Sequence, residues 1–162
     1  MGFCALHFGC SCHKNDYLYQ KISKTMYPPQ LVQPMKEDLT SVGFKELLSS
    51  DEVDQAIQNN SGTMLVVVNS VCGCAAGNMR PGVKLSIQSE TVPDSLTTVF
   101  AGVDSDAVAQ ARKYFLPYPP SSPSIALFKE GKLVHFLERH HIEGGSAQMI
   151  ADNLSAAYKQ FC

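Results

Sequence analysis

The stretch TMLVVVNSVCGCAAGNMRPGV, residues 63–83, decides the fold of this chain. Its first seven residues, Thr63 to Asn69, are mostly aliphatic, rich in valine and uncharged, which is typical of a strand covered on both faces in a parallel sheet. Residues from Cys74 to about Ser89 are predicted to form a helix, which Pro81 should bend because proline removes one backbone donor. A Cys-Gly-Cys sequence, residues 72–74, therefore lies where a buried strand passes into a helix.

The segments that follow continue the alternation of strands and helices. Leu96 to Val103 is predicted to be a second buried strand, and a helix is expected after Asp104. The proline-rich stretch 117–123 favours irregular structure. It precedes a hairpin, 124–128 with 132–137, and then a final helix after Gly144 and Gly145. The order β-α-β-α-β-β-α predicts an α/β protein with a thioredoxin-like, three-layer fold, in which a central mixed β-sheet is flanked by helices.

The pattern becomes regular at Met26, so residues 26–162 are predicted to form this domain. A short helix pair broken at Gly43 is expected first, with Leu39, Phe44, Leu47 and Leu48 as its apolar residues. A helix capped at Ser50 should follow. Residues 1–25 are predicted to be a disordered extension, and the alternative is that Met26 is the true start.

Composition excludes several classes of protein. The chain has 162 residues and a formal net charge of −2, without a cluster of Lys and Arg, so nucleic acid is not an expected partner. Its longest aliphatic stretch, Met64 to Val68, is far short of the roughly 18 apolar residues of a membrane-spanning helix. The amino-terminal segment lacks the basic n-region of a secretory signal, so a cytoplasmic location is expected and no membrane partner.

Cysteines are distributed unevenly along the chain. They occupy positions 4, 10, 12, 72, 74 and 162, which is not an even disulfide framework. A domain of this size buries enough surface to fold without disulfides, so the cysteines need a chemical explanation. Cys72 and Cys74 are predicted to lie at a helix N-terminus, where N–H groups lower thiol pKa values to about 3.5–7.5 and produce reactive thiolates. Gly73 should supply backbone freedom to close a small disulfide ring.

The residues alone leave two alternatives to a redox-active pair. The cysteines can be unrelated side chains in a packed core, since free Cys is among the most buried residue types. They can also be permanent ligands of a zinc or copper module, because thiolates bind both metals. Further ligands would then come from His135, His140, His141 or Cys162.

Five segments of the chain resemble the bacilliredoxin family. They are VVVNSVCGCAAG (66–77), RPGV (80–83), TVFAGVD (98–104), PSSPSIAL (120–127) and VHFLERHHIEG (134–144), and the resemblance runs from about Met26 to Cys162. It implies a thioredoxin-like fold and a thiol-disulfide oxidoreductase that removes bacillithiol from protein mixed disulfides. Disulfide isomerase activity uses the same chemistry.

The resemblance also implies roles for particular residues. Cys72 would be the nucleophile that takes bacillithiol from the client, and Cys74 would resolve the adduct. Ser122 and Pro123 match the cis-proline position of thioredoxin-like folds, where the loop faces the cysteines. With Gly73 they are expected to bind the client. The alternative for Pro123 is a trans proline that ends a loop. No cofactor is implied beyond bacillithiol as co-substrate, and the partners are modified or disulfide-containing clients and a recycling thiol or reductase.

Several residues have a functional and a plain interpretation. Asn69 and Ser70 can hydrogen-bond to the sulfurs or cap the strand, and His140 can assist proton transfer or lie on the surface. Arg80 is expected to be a solvated helix residue, and the alternative is that it favours an anionic thiol adduct such as the malate part of bacillithiol. Cys162 is a candidate third redox partner. The cluster Cys4, Cys10 and Cys12 is a candidate metal site, and neither the clients nor the recycling reductant can be read from the residues.

Overall fold

The computed structural model of the protein describes residues 26–162. Predictions for residues 1–25, including the cluster Cys4, Cys10 and Cys12, lie outside the described residues. The elements are α1 (Pro29–Thr40), β1 (Lys45–Glu46), α2 (Ser50–Gln58), β2 (Thr63–Asn69), a π-helical segment (Ala75–Met79), α3 (Arg80–Ser86), β3 (Ser95–Phe100), α4 (Ser105–Tyr114), β4 (Ser124–Lys129), β5 (Lys132–Leu137), α5 (Arg139–Glu143) and α6 (Ala147–Phe161).

The five strands form one mixed sheet in the order β1-β3-β2-β4-β5. β1, β3 and β2 run parallel, while β4 is antiparallel to β2 and β5 is antiparallel to β4. β2 is therefore the central strand, and all seven of its residues are buried, as its uncharged aliphatic sequence predicts. Its last residues lie beside Phe100 of β3 and Ser124 of β4. The loops after β2 and β3 and the loop before β4 therefore meet at the same end of the sheet.

Two apolar layers cover the sheet because side chains alternate along β2. Leu65 and Val67 pack in one layer, which is completed mainly by α1, α3 and α6. Met64, Val66 and Val68 pack in the other layer, which α2 and α4 complete. This arrangement confirms the predicted three-layer architecture of helices on both faces of a mixed sheet.

The predicted helix pair around Gly43 is wrong in its second half. α1 ends at Thr40, and Gly43 adopts a φ of +99°, a left-handed conformation that glycine tolerates. The chain then forms the short edge strand β1, and Phe44 and Leu47 enter opposite apolar layers. In an extended chain, residues three apart such as Phe44 and Leu47 point to opposite faces. Pairing with β3, which the local sequence does not encode, holds this stretch extended.

Two element boundaries and one short helix also differ from the predictions. The cap of α2 is Ser49, whose side chain accepts a hydrogen bond from the backbone N–H of Glu52 at 3.2 Å. β3 ends at Phe100 and a turn follows, with Gly102 at a φ of +84°. The short helix α5 was not predicted, because five residues are too few to display helical periodicity.

The helix after β2 contains a change of helical geometry. Helical structure begins at Gly73, becomes a π-helix over Ala75–Met79 and continues as α3, which ends at Ser86 rather than Ser89. The irregularity directly precedes Pro81, as the missing backbone donor predicts. Between residues 26 and 162, no helix has the length and apolar character needed to cross a membrane.

Candidate active site

Cys72 and Cys74 are joined by a disulfide bond, and their Cα atoms lie 5.4 Å apart. Both residues are half-buried against the apolar layer that contains α3 and α6, while Gly73 between them is exposed. The alternative of two unrelated core cysteines is therefore wrong. The bonded pair lies at the surface, within reach of another molecule.

Cys72 caps the helix that follows it. Its carbonyl oxygen accepts hydrogen bonds from the N–H groups of Ala75 and Ala76, at 3.1 and 3.2 Å. Its sulfur accepts the N–H of Ala75 at 3.3 Å, which is the hydrogen bond that an N-cap side chain makes. A thiolate at this position lies at the positive end of the helix dipole, so the geometry favours the ionised, nucleophilic form of Cys72.

A second donor reaches the same sulfur from the end of β2. The hydroxyl of Ser70 lies 3.3 Å from the sulfur of Cys72 and donates to it. The backbone N–H of Ser70 in turn donates to the side-chain oxygen of Asn69 at 2.8 Å. Asn69 also donates to the backbone oxygen of Met35 in α1. Ser70 thus contacts the sulfur directly, whereas Asn69 positions Ser70.

Arg80 holds these residues from inside the domain. Its Nη1 atom donates to the side-chain oxygen of Asn69 and to the backbone oxygen of Ser70, each at 3.1 Å. The prediction of a solvated Arg80 is wrong, because only 5% of the residue is exposed. Arg80 thereby holds the loop before Cys72 in place from its buried side.

Asp38 of α1 compensates the charge of Arg80. Its carboxylate accepts the Nε–H of Arg80 at 3.0 Å and also contacts Lys84. Burial alone would raise the pKa of Asp38, but the hydrogen bonds and positive charges of Lys84 and Arg80 outweigh it and lower this pKa. Asp38 therefore stays ionised, and α1 is tied to α3 beneath the cysteine pair.

The proline loop faces the same region. The Ser122–Pro123 peptide bond is cis, so the alternative of a trans proline is wrong, and Pro123 is buried. Ser122 and Cys72 both line a cavity of about 260 Å³, called the Cys72 cavity below, together with Tyr27, Ser70, Arg112 and Arg139. A larger cavity of about 640 Å³ lies at the opposite end of the strands, and among residues 26–162 its lining includes Lys45, Asn60 and Asp94 but no cysteine. Of these two cavities, it is the smaller one that a cysteine of the disulfide, Cys72, lines.

Gly73 contributes space rather than an unusual backbone conformation. Its φ is not among the positive values found in residues 26–162, so the disulfide ring closes without the left-handed region. An added Cβ atom at this position would meet no heavy atom within 4 Å. The exposed surface beside the cysteine pair is therefore open to another molecule.

The histidines are not assembled around the cysteine pair. His135 hydrogen-bonds to Asn153 at 2.7 Å, and the His140 and His141 rings contact each other on the exposed side of α5. Within residues 26–162, no three His, Cys, Asp or Glu side chains are close enough together to hold a metal ion. The metal-module alternative therefore lacks a third ligand in this part of the chain. From the segment around His140, it is Arg139 that lines the Cys72 cavity.

Cys162 lies far from the cysteine pair. It is exposed at the end of α6, and the backbone oxygen of its neighbour Phe161 accepts a hydrogen bond from Lys129. Lys129 ends β4, whereas Ser124 at the other end lies beside the end of β2 near Cys72. Five residue steps along a strand span about 17 Å. The structure therefore does not bring Cys162 to Cys72 as a third redox partner within one molecule.

Three residues that the sequence analysis did not single out contribute to the site. Asp38 supports Arg80, and Arg112 and Arg139 line the Cys72 cavity. Each lies more than 30 residues from the Cys-Gly-Cys stretch along the chain. No local pattern marks them, because an isolated charged residue on a helix ordinarily faces solvent.

Sequence comparisons agree with the geometry. The family described as Disulphide isomerase matches residues 27–162. A bacilliredoxin of Cytophaga hutchinsonii is 58% identical over 135 residues, which cover 83% of this chain and 99% of the relative. A bacilliredoxin of Halalkalibacterium halodurans is 50% identical over 136 residues, covering 84% of this chain and 94% of the relative.

Solved structures confirm the predicted fold class. Mitochondrial thioredoxin 3 from Saccharomyces cerevisiae, in its oxidised form, superposes with a TM-score of 0.52 at 18% identity, covering 76% of this chain and 99% of that one. The thioredoxin-like domain of the Arabidopsis protein NCP gives a TM-score of 0.53 at 17% identity, covering 74% of this chain and 79% of that one. At these identities the likeness establishes the thioredoxin-like fold alone.

Proposed function

The chain belongs to the bacilliredoxin family of thiol-disulfide oxidoreductases, and we propose that it removes bacillithiol from mixed disulfides on client proteins. One observation carries this proposal. The sulfur of Cys72 caps a helix and accepts hydrogen bonds from Ala75 and Ser70, while Cys74 is close enough to form a disulfide with it. This arrangement supports a role for Cys72 as the activated nucleophile and for Cys74 as the resolving thiol.

In the first proposed step, the thiolate of Cys72 attacks the bacillithiol sulfur of the client mixed disulfide. The client–bacillithiol S–S bond breaks, a Cys72–bacillithiol S–S bond forms, and the client leaves as a thiolate that takes a proton from water. The Ala75 N–H and the Ser70 hydroxyl stabilise the charge on Cys72 before attack. In this proposal Ser122, which lines the Cys72 cavity, and the adjacent cis-Pro123 hold the client beside the exposed Gly73.

In the second step, the thiolate of Cys74 attacks the sulfur of Cys72 and releases bacillithiol. The cysteine pair is thereby oxidised by two electrons, which have reduced the client mixed disulfide. A recycling thiol or reductase must return these electrons, and a second bacillithiol can instead resolve Cys72 directly. The same exchange on a client disulfide gives reductase or isomerase activity. We place this reaction in the cytoplasm, where glutathione-like thiol pools keep cysteines reduced.

The test uses the Cys74→Ser variant, which cannot resolve the adduct. The reduced full-length variant is mixed with a peptide that carries bacillithiol on a single cysteine, and the products are mapped by mass spectrometry. We expect the peptide thiol to be freed and bacillithiol to accumulate on Cys72. Cys162→Ser is the matched control, because Cys162 is exposed and remote, and it should react and resolve as the wild type does.

Two results would contradict the proposal. If the peptide keeps its bacillithiol while Cys72 remains free, the de-bacillithiolation activity is absent. If the adduct accumulates on Cys74 in Cys72→Ser at the rate seen for Cys72 in Cys74→Ser, the assignment of nucleophile and resolving thiol is wrong. Cys72→Ser is expected to leave the peptide modified.

A further inference from the structure

Among the residues that the structure describes, two cationic side chains and no acidic one line the Cys72 cavity. Arg112, in the last turn of α4, and Arg139, at the start of α5, are the only charged residues that line it within residues 26–162. Cys72 and Ser122 of the proline loop form other parts of its wall. A molecule joined to Cys72 therefore has a positively charged space beside it.

Arg112 carries a buried donor for which residues 26–162 provide no acceptor. Its Nε–H group is buried, and no hydrogen-bond acceptor is found for it in residues 26–162. A buried donor without a partner costs about 1–3 kcal/mol, and a water, an ion or a ligand that accepts its hydrogen bond would offset this cost. Because Arg112 also lines the Cys72 cavity, a molecule bound there is a candidate partner for this side chain.

Arg139 is already partly neutralised. Its guanidinium pairs with Glu143 at 3.0 Å and donates to the backbone oxygen of Ser122 at 3.4 Å. The pairing with Glu143 raises the pKa of Arg139 above its ordinary value, and both contacts fix the side chain at the cavity wall. Arg139 therefore adds positive potential and anchors the proline loop, whereas Arg112 offers an unpaired donor.

We propose that the Cys72 cavity is a carboxylate-binding subsite, in which Arg112 holds the acidic part of a small thiol while that thiol is joined to Cys72 as a mixed disulfide. This inference rests on the proposed function and adds the chemistry by which the adduct is selected. The guanidinium fork matches the two oxygens of a carboxylate. The volume of about 260 Å³ accommodates part of a small molecule, equivalent to about nine waters.

The subsite acts in the first exchange step described above. The bonds that break and form in that step stay the same. The bond between the client sulfur and the small thiol breaks, the bond to Cys72 forms, and the carboxylate comes to lie at Arg112. Attack at the small-thiol sulfur rather than the client sulfur is thereby favoured. An acidic thiol such as bacillithiol, which carries a malate part, is then transferred faster than a neutral thiol of similar reactivity.

The test compares two mixed disulfides of one peptide that has a single cysteine and no acidic residue. One carries bacillithiol and the other carries β-mercaptoethanol, and release of the peptide thiol is measured for each. We expect wild type to release the bacillithiol adduct roughly tenfold faster or more, the effect of a hydrogen bond to a charged group. Arg112→Gln should bring this ratio close to one by slowing only the bacillithiol adduct.

Two further variants separate charge from geometry. Lys113→Gln is the matched control, because Lys113 is the exposed neighbour of Arg112 and does not line the cavity, so the ratio should stay as in wild type. Arg112→Lys keeps the charge but not the fork, and most of the selectivity should be lost. Thermal unfolding checks that each variant folds. If Arg112→Gln does not fold, Arg112→Lys tests the proposal in its place.

The proposal is overturned if wild type shows no preference between the adducts, if Arg112→Gln slows both equally, or if Arg112→Lys keeps the full preference. A second peptide, with Asp residues beside its cysteine, tests whether the client rather than the small thiol supplies the carboxylate that Arg112 binds. If those residues alone create the dependence on Arg112, the subsite binds the client and the proposal is wrong. Failure of wild type to release either adduct would instead contradict the proposed function.

Discussion

The hydroxyl of Ser70 lies 3.3 Å from the sulfur of Cys72, on the chain that enters the helix rather than on the helix itself. The Ala75 N–H reaches the same sulfur at the same distance from inside the helix. Cys72 therefore receives donors from both of the elements that it connects. Its geometry makes it the better stabilised thiolate of the pair, and this has consequences for reactivity.

Cys72 is predicted to be alkylated at least about tenfold faster than Cys74 in the reduced protein at pH 7, because hydrogen bonds to a charged sulfur each contribute roughly 1.5–3 kcal/mol. Limiting iodoacetamide followed by peptide mass spectrometry measures the ratio. Ser70→Ala removes one donor and should reduce the ratio. Equal labelling of the two cysteines would contradict the assignment of Cys72 as the nucleophile.

Arg80→Met is predicted to shift the pH midpoint of Cys72 alkylation upward, because it removes a buried cation and releases the loop that carries Ser70. Lys84→Met is the matched control: it removes a charge from the same Asp38, but the more exposed Lys84 does not contact Ser70. Its midpoint should match wild type. A shift of the same size in both variants would show that the loop contact of Arg80 has no specific effect.

Asp38→Asn is predicted to destabilise the protein at neutral pH by up to about 1 kcal/mol, a modest value because the carboxylate is one-third exposed. The pKa of Asp38 is lower in the folded protein than its ordinary 3.8, so its contribution is present above about pH 4 and is lost as pH falls further. Urea unfolding of both proteins between pH 3 and 7 measures this. A difference that grows as the pH falls would contradict the prediction.

Gly82→Ala is predicted to destabilise the fold by about 1–3 kcal/mol, because an added Cβ would lie 2.8 Å from the backbone oxygen of Ala147 and from Ile150 in α6. Gly77→Ala, on the exposed side of the preceding π-helical segment, meets nothing within 4 Å and should be neutral or slightly stabilising. Thermal unfolding compares the two variants. Equal effects would show that the contact between α3 and α6 relaxes freely.

Local sequence was sufficient to predict the strand and the helix that carry Cys72 and Cys74. The aliphatic run Thr63–Asn69 has one favourable structure, a strand buried on both faces, and the structure places β2 there. The Cys-Gly-Cys stretch then had to lie at a helix N-terminus. The stretch around Phe44 was predicted wrongly because its conformation depends on pairing with Thr97 and Thr98, some 50 residues away.

The sequence by itself thus determined the fold class, the position of the cysteine pair and the family, because these depend on contiguous residues with strong local preferences. Only the tertiary structure decided that Arg80 is buried beneath Ser70, that Arg112 and Arg139 converge beside Cys72, and that Cys162 lies at the far end of β4. These relationships join residues distant in the chain. Their physical basis is the burial and pairing of charged groups, which packing creates and no local pattern encodes.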